Sequence, residues 1–204
     1  NRRARKKADI RTVSLVGYTN AGKSTLFNTL CESNVHAADQ LFATLDPTLR
    51  QLELPVIGKS ILTDTVGFIR KLPHGLVDAF RATLEEVKQA ELLLHVVDAS
   101  SNDRALHMVE VDSVLKEIGA SDVPQLIVYN KVDLLEEPPR IDLGEDGLPC
   151  RVWVSGLHGL GMDLLTEAIT SLLAQKAIDT TLHLQPDQGQ LRALLFAHGA
   201  VVEE

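Results

Sequence analysis

Apolar and polar positions along the chain fall into two alternating rhythms. Thr12–Val16 is a short β-branched run and reads as a strand, and Lys23–Cys31 opens a helix. Leu49–Pro55 and Ser60–Asp64 flank Val56-Ile57-Gly58-Lys59, a pattern that predicts a hairpin. Leu76, Phe80, Leu84 and Val87 recur at helical spacing, so Gly75–Ala90 is expected to be a helix. Leu92–Asp98 is almost continuously apolar, as in a parallel strand covered on both faces. Val109, Val111, Val114, Leu115 and Ile118 mark the next helix. Gln125–Tyr129 and Val152–Val154 follow as strands, and Gly161–Gln175 as a closing helix. Such alternation predicts a doubly wound, mostly parallel α/β sheet with helices on both faces and one antiparallel edge strand from the hairpin. After Lys176 the register changes, with a strand expected over Thr180–Leu184 and a helix over Gln188–His198. The domain reading is therefore a linker over 1–10, an α/β domain over 11–176, and the beginning of a further α/β unit over 177–204.

Composition narrows the class. With 204 residues, 45% of them hydrophobic, the chain can build one good core and a small appendage. A net charge of −8 and 4% aromatic content argue against a surface that tracks DNA phosphates or stacks bases. Arg2–Lys7 is a basic run against that acidic background, and reads as a solvated linker or the end of a preceding helix. Cys31 and Cys150 cannot make a disulfide framework, which points to a reducing compartment. No apolar run approaches the roughly 20 residues of a membrane span, and no signal peptide opens the sequence. A soluble, monomeric, cytoplasmic protein is the expectation.

Three motifs carry chemistry, in order. Gly17-Tyr18-Thr19-Asn20-Ala21-Gly22-Lys23-Ser24 matches the phosphate loop G-x-x-x-x-G-K-[ST] between a strand and a helix, with Thr25 following in the first turn. Its glycines let backbone N–H groups converge on phosphate oxygens, Lys23 would pair with β- and γ-phosphates, and Ser24 would ligate Mg²⁺. Asp64-Thr65-Val66-Gly67 closes the next strand: Asp64 would hold the metal through water and the Gly67 N–H would meet the γ-phosphate. Asn130-Lys131-Val132-Asp133 closes another. The Asp133 carboxylate can accept from guanine N1–H and its exocyclic amine, a donor pair adenine lacks, so GTP and GDP are the expected ligands. Lys131 would pack over the base and Asn130 would tie this loop to the phosphate loop. Ser155-Gly156-Leu157 would give backbone contacts to the guanine oxygen, Gly156 standing where such loops more usually carry alanine. Between the first two motifs, Thr44 and Thr48 both compete for the switch threonine that senses Mg²⁺ and the γ-phosphate.

Together these motifs resemble the translation-factor-related GTPases, and more closely the Obg and HflX branch. Phe42–Pro47 is similar to the branch pattern F-[TA]-T-L-x-P, which selects Thr44 and places Phe42 beside the nucleotide. The run Asp64–His74, then Leu76-Val77, Ala79–Glu86 and Leu92–Ser100, resembles HflX in particular. The resemblance runs from about Arg11 to Gln175 and implies a GTPase that binds the large ribosomal subunit and splits stalled or idle ribosomes. It implies too that the segment after Thr180 opens a C-terminal domain. Phe68 stands where many such enzymes carry a water-orienting glutamine, and is expected to pack aside near Leu72 and Phe80. Catalysis would then fall to Lys23, Thr44 and Gly67, helped by a cation: in potassium-activated GTPases of this class an asparagine at the place of Asn20 ligates K⁺, although Asn20 as a simple turn residue stays open. His74 follows the switch without being assigned as a base, and His36, His95, His107, His158, His183 and His198 lack metal-ligand spacing. Two alternatives remain beside the ribosome-splitting GTPase: a binding module with incidental hydrolysis, and a switch of the same branch in ribosome assembly or tRNA modification.

Overall fold

In the computed structural model of the chain, residues 10–33, 49–65, 85–175, 184 and 188–197 are described. Their strands are β1 (Arg11–Gly17), β2 (Leu49–Leu54), β3 (Gly58–Thr63), β4 (Leu92–Asp98), β5 (Gln125–Asn130), β6 (Arg140–Leu143) and β7 (Pro149–Trp153). The helices are α1 (Lys23–Ser33), α2 (Arg104–Glu117), α3 (Met162–Ala174) and α4 (Gly189–Ala197), with a 3₁₀ turn at Val132–Leu134. Residues 85–89 are also helical, within the span expected for Gly75–Ala90. The switch candidates Phe42, Thr44, Gly67 and Phe68, and residues 180–183 of the strand expected over Thr180–Leu184, lie outside the described residues.

The seven strands form one sheet in the order β2-β3-β1-β4-β5-β7-β6. Pairings β3–β1, β1–β4, β4–β5 and β5–β7 are parallel, so five strands end on the same edge. Strand alternation then builds two cores. Val13, Leu15, Leu92, Leu94, Val96, Leu126, Val128 and Val152 face α1 and α3, meeting Leu26, Leu30, Leu165 and Ile169. Val16 and Leu93 face the other way, toward Val111 and Leu115 of α2. A central strand with both faces covered needs apolar residues at every position, which is why β4 reads as an unbroken run.

One correction concerns the edges. The hairpin supplies an antiparallel edge strand, β2 against β3, but the opposite edge is antiparallel as well, β6 against β7. Arg-Ile-Asp-Leu after two prolines carries little strand signal, and its pairing is reinforced by a side chain of the facing strand. Trp153 Nε1 donates to Asp142 Oδ2 at 2.8 Å, and the Arg140 guanidinium lies 4.1 Å over the indole ring.

Candidate functional site

All five parallel strands deliver their C-terminal ends to one edge, where crossovers leave to opposite faces and a crevice opens. β1 ends in the phosphate loop Gly17–Ser24, and Lys23 is the first residue of α1. Gly22 has φ of 91°, and a Cβ there would stand 2.3 Å from Asn130 Nδ2. Only glycine allows that approach. Tyr18 is tied to α2 by stacking on His107, ring centroids 4.0 Å apart and 8° from parallel. A cleft of about 240 Å³ opens beside the loop, lined among others by Thr19, Asn20, Asp98, Ser101 and Met108.

Lys23 is buried, and its Nζ donates to Gly17 O at 3.0 Å and Tyr18 O at 2.9 Å. Burial pushes its ammonium down to about 8, against the opposing field of Asp64. The side chain thus points at the loop that would wrap a polyphosphate. Asp64 follows β3, and its buried Oδ1 has no hydrogen-bond partner among the described residues. A buried carboxylate oxygen without a donor fits a hydrated divalent cation, and Ser24 stands exposed at the start of α1, where its hydroxyl could offer a second oxygen. Next to Asp64, Thr65 Oγ1 donates to Leu15 O at 2.5 Å and anchors the end of this segment to β1.

β5 delivers the second cluster. Asn130 is buried, its Nδ2 donating to Ala21 O at 3.0 Å while its Oδ1 accepts the Gly156 N–H at 2.9 Å. One amide therefore links the phosphate loop, the end of β5 and the loop after β7. Lys131 sits in the left-handed region, φ 67°, and its Nζ donates to Asn20 O at 2.9 Å and to Asp98 Oδ2 at 2.7 Å. Asp133 Oδ1 accepts from Ser155 Oγ, and His158 Nε2 lies 3.8 Å from Asp133 Oδ2. The Ser155 hydroxyl thus has a side-chain role beside the backbone contacts expected of this loop: it holds the Asp133 carboxylate. Leu157 is exposed beside it.

Gly156 in place of alanine has a packing reason. A Cβ there would meet Leu26 Cα at 3.1 Å and Leu26 N at 3.3 Å, against the first turn of α1. Thr29 Oγ1 donates to Gly156 O at 2.7 Å and draws the two segments together. Gly156→Ala is expected to lower stability by about 1 kcal/mol, read as a reduced denaturation midpoint. Asn130→Ala should do more. It strands the Ala21 carbonyl and the buried Gly156 N–H, and is expected to lower stability by about 2–4 kcal/mol in equilibrium unfolding.

The sequence assigns no role to Asp98, which stands at the end of an apolar run within the stretch that resembles HflX. Its partner Lys131 is 33 residues away, so no local signal marks it. His95 is buried on β4; burial holds its imidazole below the ordinary value, opposed by Asp112, so it sits neutral in the core.

Residues 12–131 match the family described as 50S ribosome-binding GTPase. The chain is 52% identical over 204 residues to the GTPase HflX of Escherichia coli (strain K12), covering all of this chain and 48% of that protein. It is 46% identical over 203 residues to the GTPase HflX of Caldanaerobacter subterraneus subsp. tengcongensis, again along the whole chain and 46% of the relative. Among solved structures, a GTP-binding protein from the hyperthermophilic archaeon Sulfolobus solfataricus in complex with GDP superposes with a TM-score of 0.63 at 29% identity, covering 85% of this chain and 56% of that one. The chain spans about half the length of the curated relatives it matches. Fold, loops and likenesses together define a P-loop GTPase domain. The chain belongs to the 50S ribosome-binding GTPase family, and its domain is of the HflX type.

Proposed function

We propose that the protein is a GTP-hydrolysing switch that works on the large ribosomal subunit and, in full-length form, splits or rescues ribosomes. The observation that supports this reading best is the single cluster formed by Asn130, Ala21 and Gly156, which brings a phosphate loop and a guanine-reading loop to one crevice. In this reading Gly17–Thr25 cradle the phosphates, Lys23 neutralises charge that develops on the β- and γ-oxygens, and Asp133, Lys131 and Ser155–Leu157 hold the base. Ser24, Thr44 and Asp64 would hold Mg²⁺, which supplies further charge neutralisation when bound. Gly67 and Thr44 sense the γ-phosphate, and Phe42 flanks the nucleotide.

Phe68 offers no hydrogen bond to water, so the polar contact comes from backbone groups, from a cation near Asn20, or from the partner. Asn20 has φ of 60°, a conformation asparagine adopts more readily than most residues, and its carbonyl is already engaged by Lys131. The amide side chain is the group proposed to ligate K⁺. Residues 177–204 belong, in this reading, to a second unit beyond the G domain, and the protein works in the cytoplasm.

Single-turnover GTP hydrolysis by the full protein tests both parts, with and without purified large subunits, in K⁺ and in Na⁺. Stimulation by orders of magnitude with subunits, and faster rates in K⁺ that vanish in Asn20→Ala, are expected. No stimulation by mature subunits together with co-sedimentation on assembly precursors would move the protein to ribosome assembly. Equal rates in the two salts would remove the cation.

A further inference from the structure

We propose that Asp98 is a positioning residue that sets Lys131, and through it the contact between the base-reading loop and the phosphate loop. The proposal rests on the reading of Lys131 as a nucleotide-binding residue. Asp98 is the last residue of β4 and stands in register opposite Asn130 on β5, so the two strand ends present neighbouring side chains to the crevice. Its Oδ1 accepts from the Ser100 N–H at 3.0 Å and the Ser100 hydroxyl at 2.6 Å. That turn fixes the carboxylate and aims Oδ2 at Lys131 Nζ, 2.7 Å away.

Lys131 needs such a hold. It sits in a left-handed backbone conformation, and its long side chain would otherwise sample many rotamers. The ammonium is instead pinned between the Asp98 carboxylate and the Asn20 carbonyl of the phosphate loop. Pinning the head lays the methylene stem along the phosphate loop: Lys131 Cε is 3.8 Å from the point a Cβ on Gly22 would occupy. An apolar stem held there is a flat support for a purine. The carboxylate also neutralises Lys131, so that Lys23 remains the cation directed at the phosphates. Burial pushes the Asp98 carboxyl up, yet the bonds from Lys131 and Ser100 outweigh it and keep the group ionised.

The test is a double-mutant cycle on nucleotide affinity in the full protein, using Asp98→Asn and Lys131→Met with a fluorescent GDP. Asp98→Asn is expected to weaken GDP and GTP alike by about 10-fold, while turnover at saturating GTP changes far less. Asp98→Glu should recover part of the affinity. In the Lys131→Met background, Asp98→Asn should add nothing, because the group it positions is gone. Should Asp98→Asn unfold the protein, Ser100→Ala removes the hydroxyl bond to Oδ1, keeps the backbone N–H bond, and is expected to weaken GDP a few-fold with the fold intact. Multiplicative losses in the double variant, or full affinity in a folded Asp98→Asn, would overturn the proposal while leaving Lys131 in its role. Full affinity in Lys131→Met would remove that role and the proposal together.

Discussion

Asp133→Asn should lower affinity for GTP and GDP by about two to four orders of magnitude, and should do so with little loss of fold. The side chain is 16% exposed, its carboxylate held by Ser155 Oγ on one oxygen and faced by His158 on the other. Guanine would offer two donors to those oxygens. An asparagine keeps one acceptor for N1–H and turns a donor against the exocyclic amine, so one pair survives and the other becomes repulsive. Xanthine carries a carbonyl where guanine carries that amine, so the same substitution should raise affinity for xanthosine diphosphate. Competition of the two diphosphates against a fluorescent GDP measures both effects. Unchanged GDP affinity in Asp133→Asn would end the assignment of the base-reading loop.

Lys23→Met is the second large effect, and it separates stability from function. A phosphate bound to the buried Lys23 would form a desolvated pair, and its loss should weaken GTP by about 10²–10³-fold. Folding should respond in the opposite sense. Held at about 8 rather than 10.5, the buried ammonium burdens the nucleotide-free protein by roughly 3 kcal/mol at neutral pH. Below pH 8 both folded and unfolded chains are protonated at Lys23 and that burden is complete. Between pH 8 and 10.5 the unfolded chain binds more protons, so this group's contribution to stability rises with pH. Methionine removes the burden but leaves the Gly17 and Tyr18 carbonyls without their donor, so the midpoint of the nucleotide-free variant is expected not to fall. Because a polyphosphate favours the charged form, GDP binding above pH 8 should take up a proton and weaken with rising pH. Calorimetry at pH 8.5 in buffers of different ionisation enthalpy reads that proton directly.

Much of the site could be read from the chain because its chemistry is written consecutively. Gly17–Ser24 and Asn130–Asp133 each place several functional groups within a few residues, at a strand end that periodicity locates. The parallel core was legible for a related reason: β4 must be apolar throughout to be covered twice. Strand β6 was not, since four residues with two charges satisfy no period, and its place depends on Trp153. The role of the Ser155 hydroxyl escaped as well, its partner lying 22 residues back.

By itself, then, the sequence determined the order of strands and helices apart from β6, the phosphate-loop motif and the residue types proposed to meet a guanine nucleotide, because these depend on residue type and short spacing. The tertiary structure alone decided how those groups are held. Asn130 meets Ala21 across 109 residues, Thr29 meets Gly156 across 127, and Asp98 meets Lys131 across 33. Such pairings arise only when crossovers bring separate strand ends to one edge of a sheet, and a linear chain carries no local trace of them.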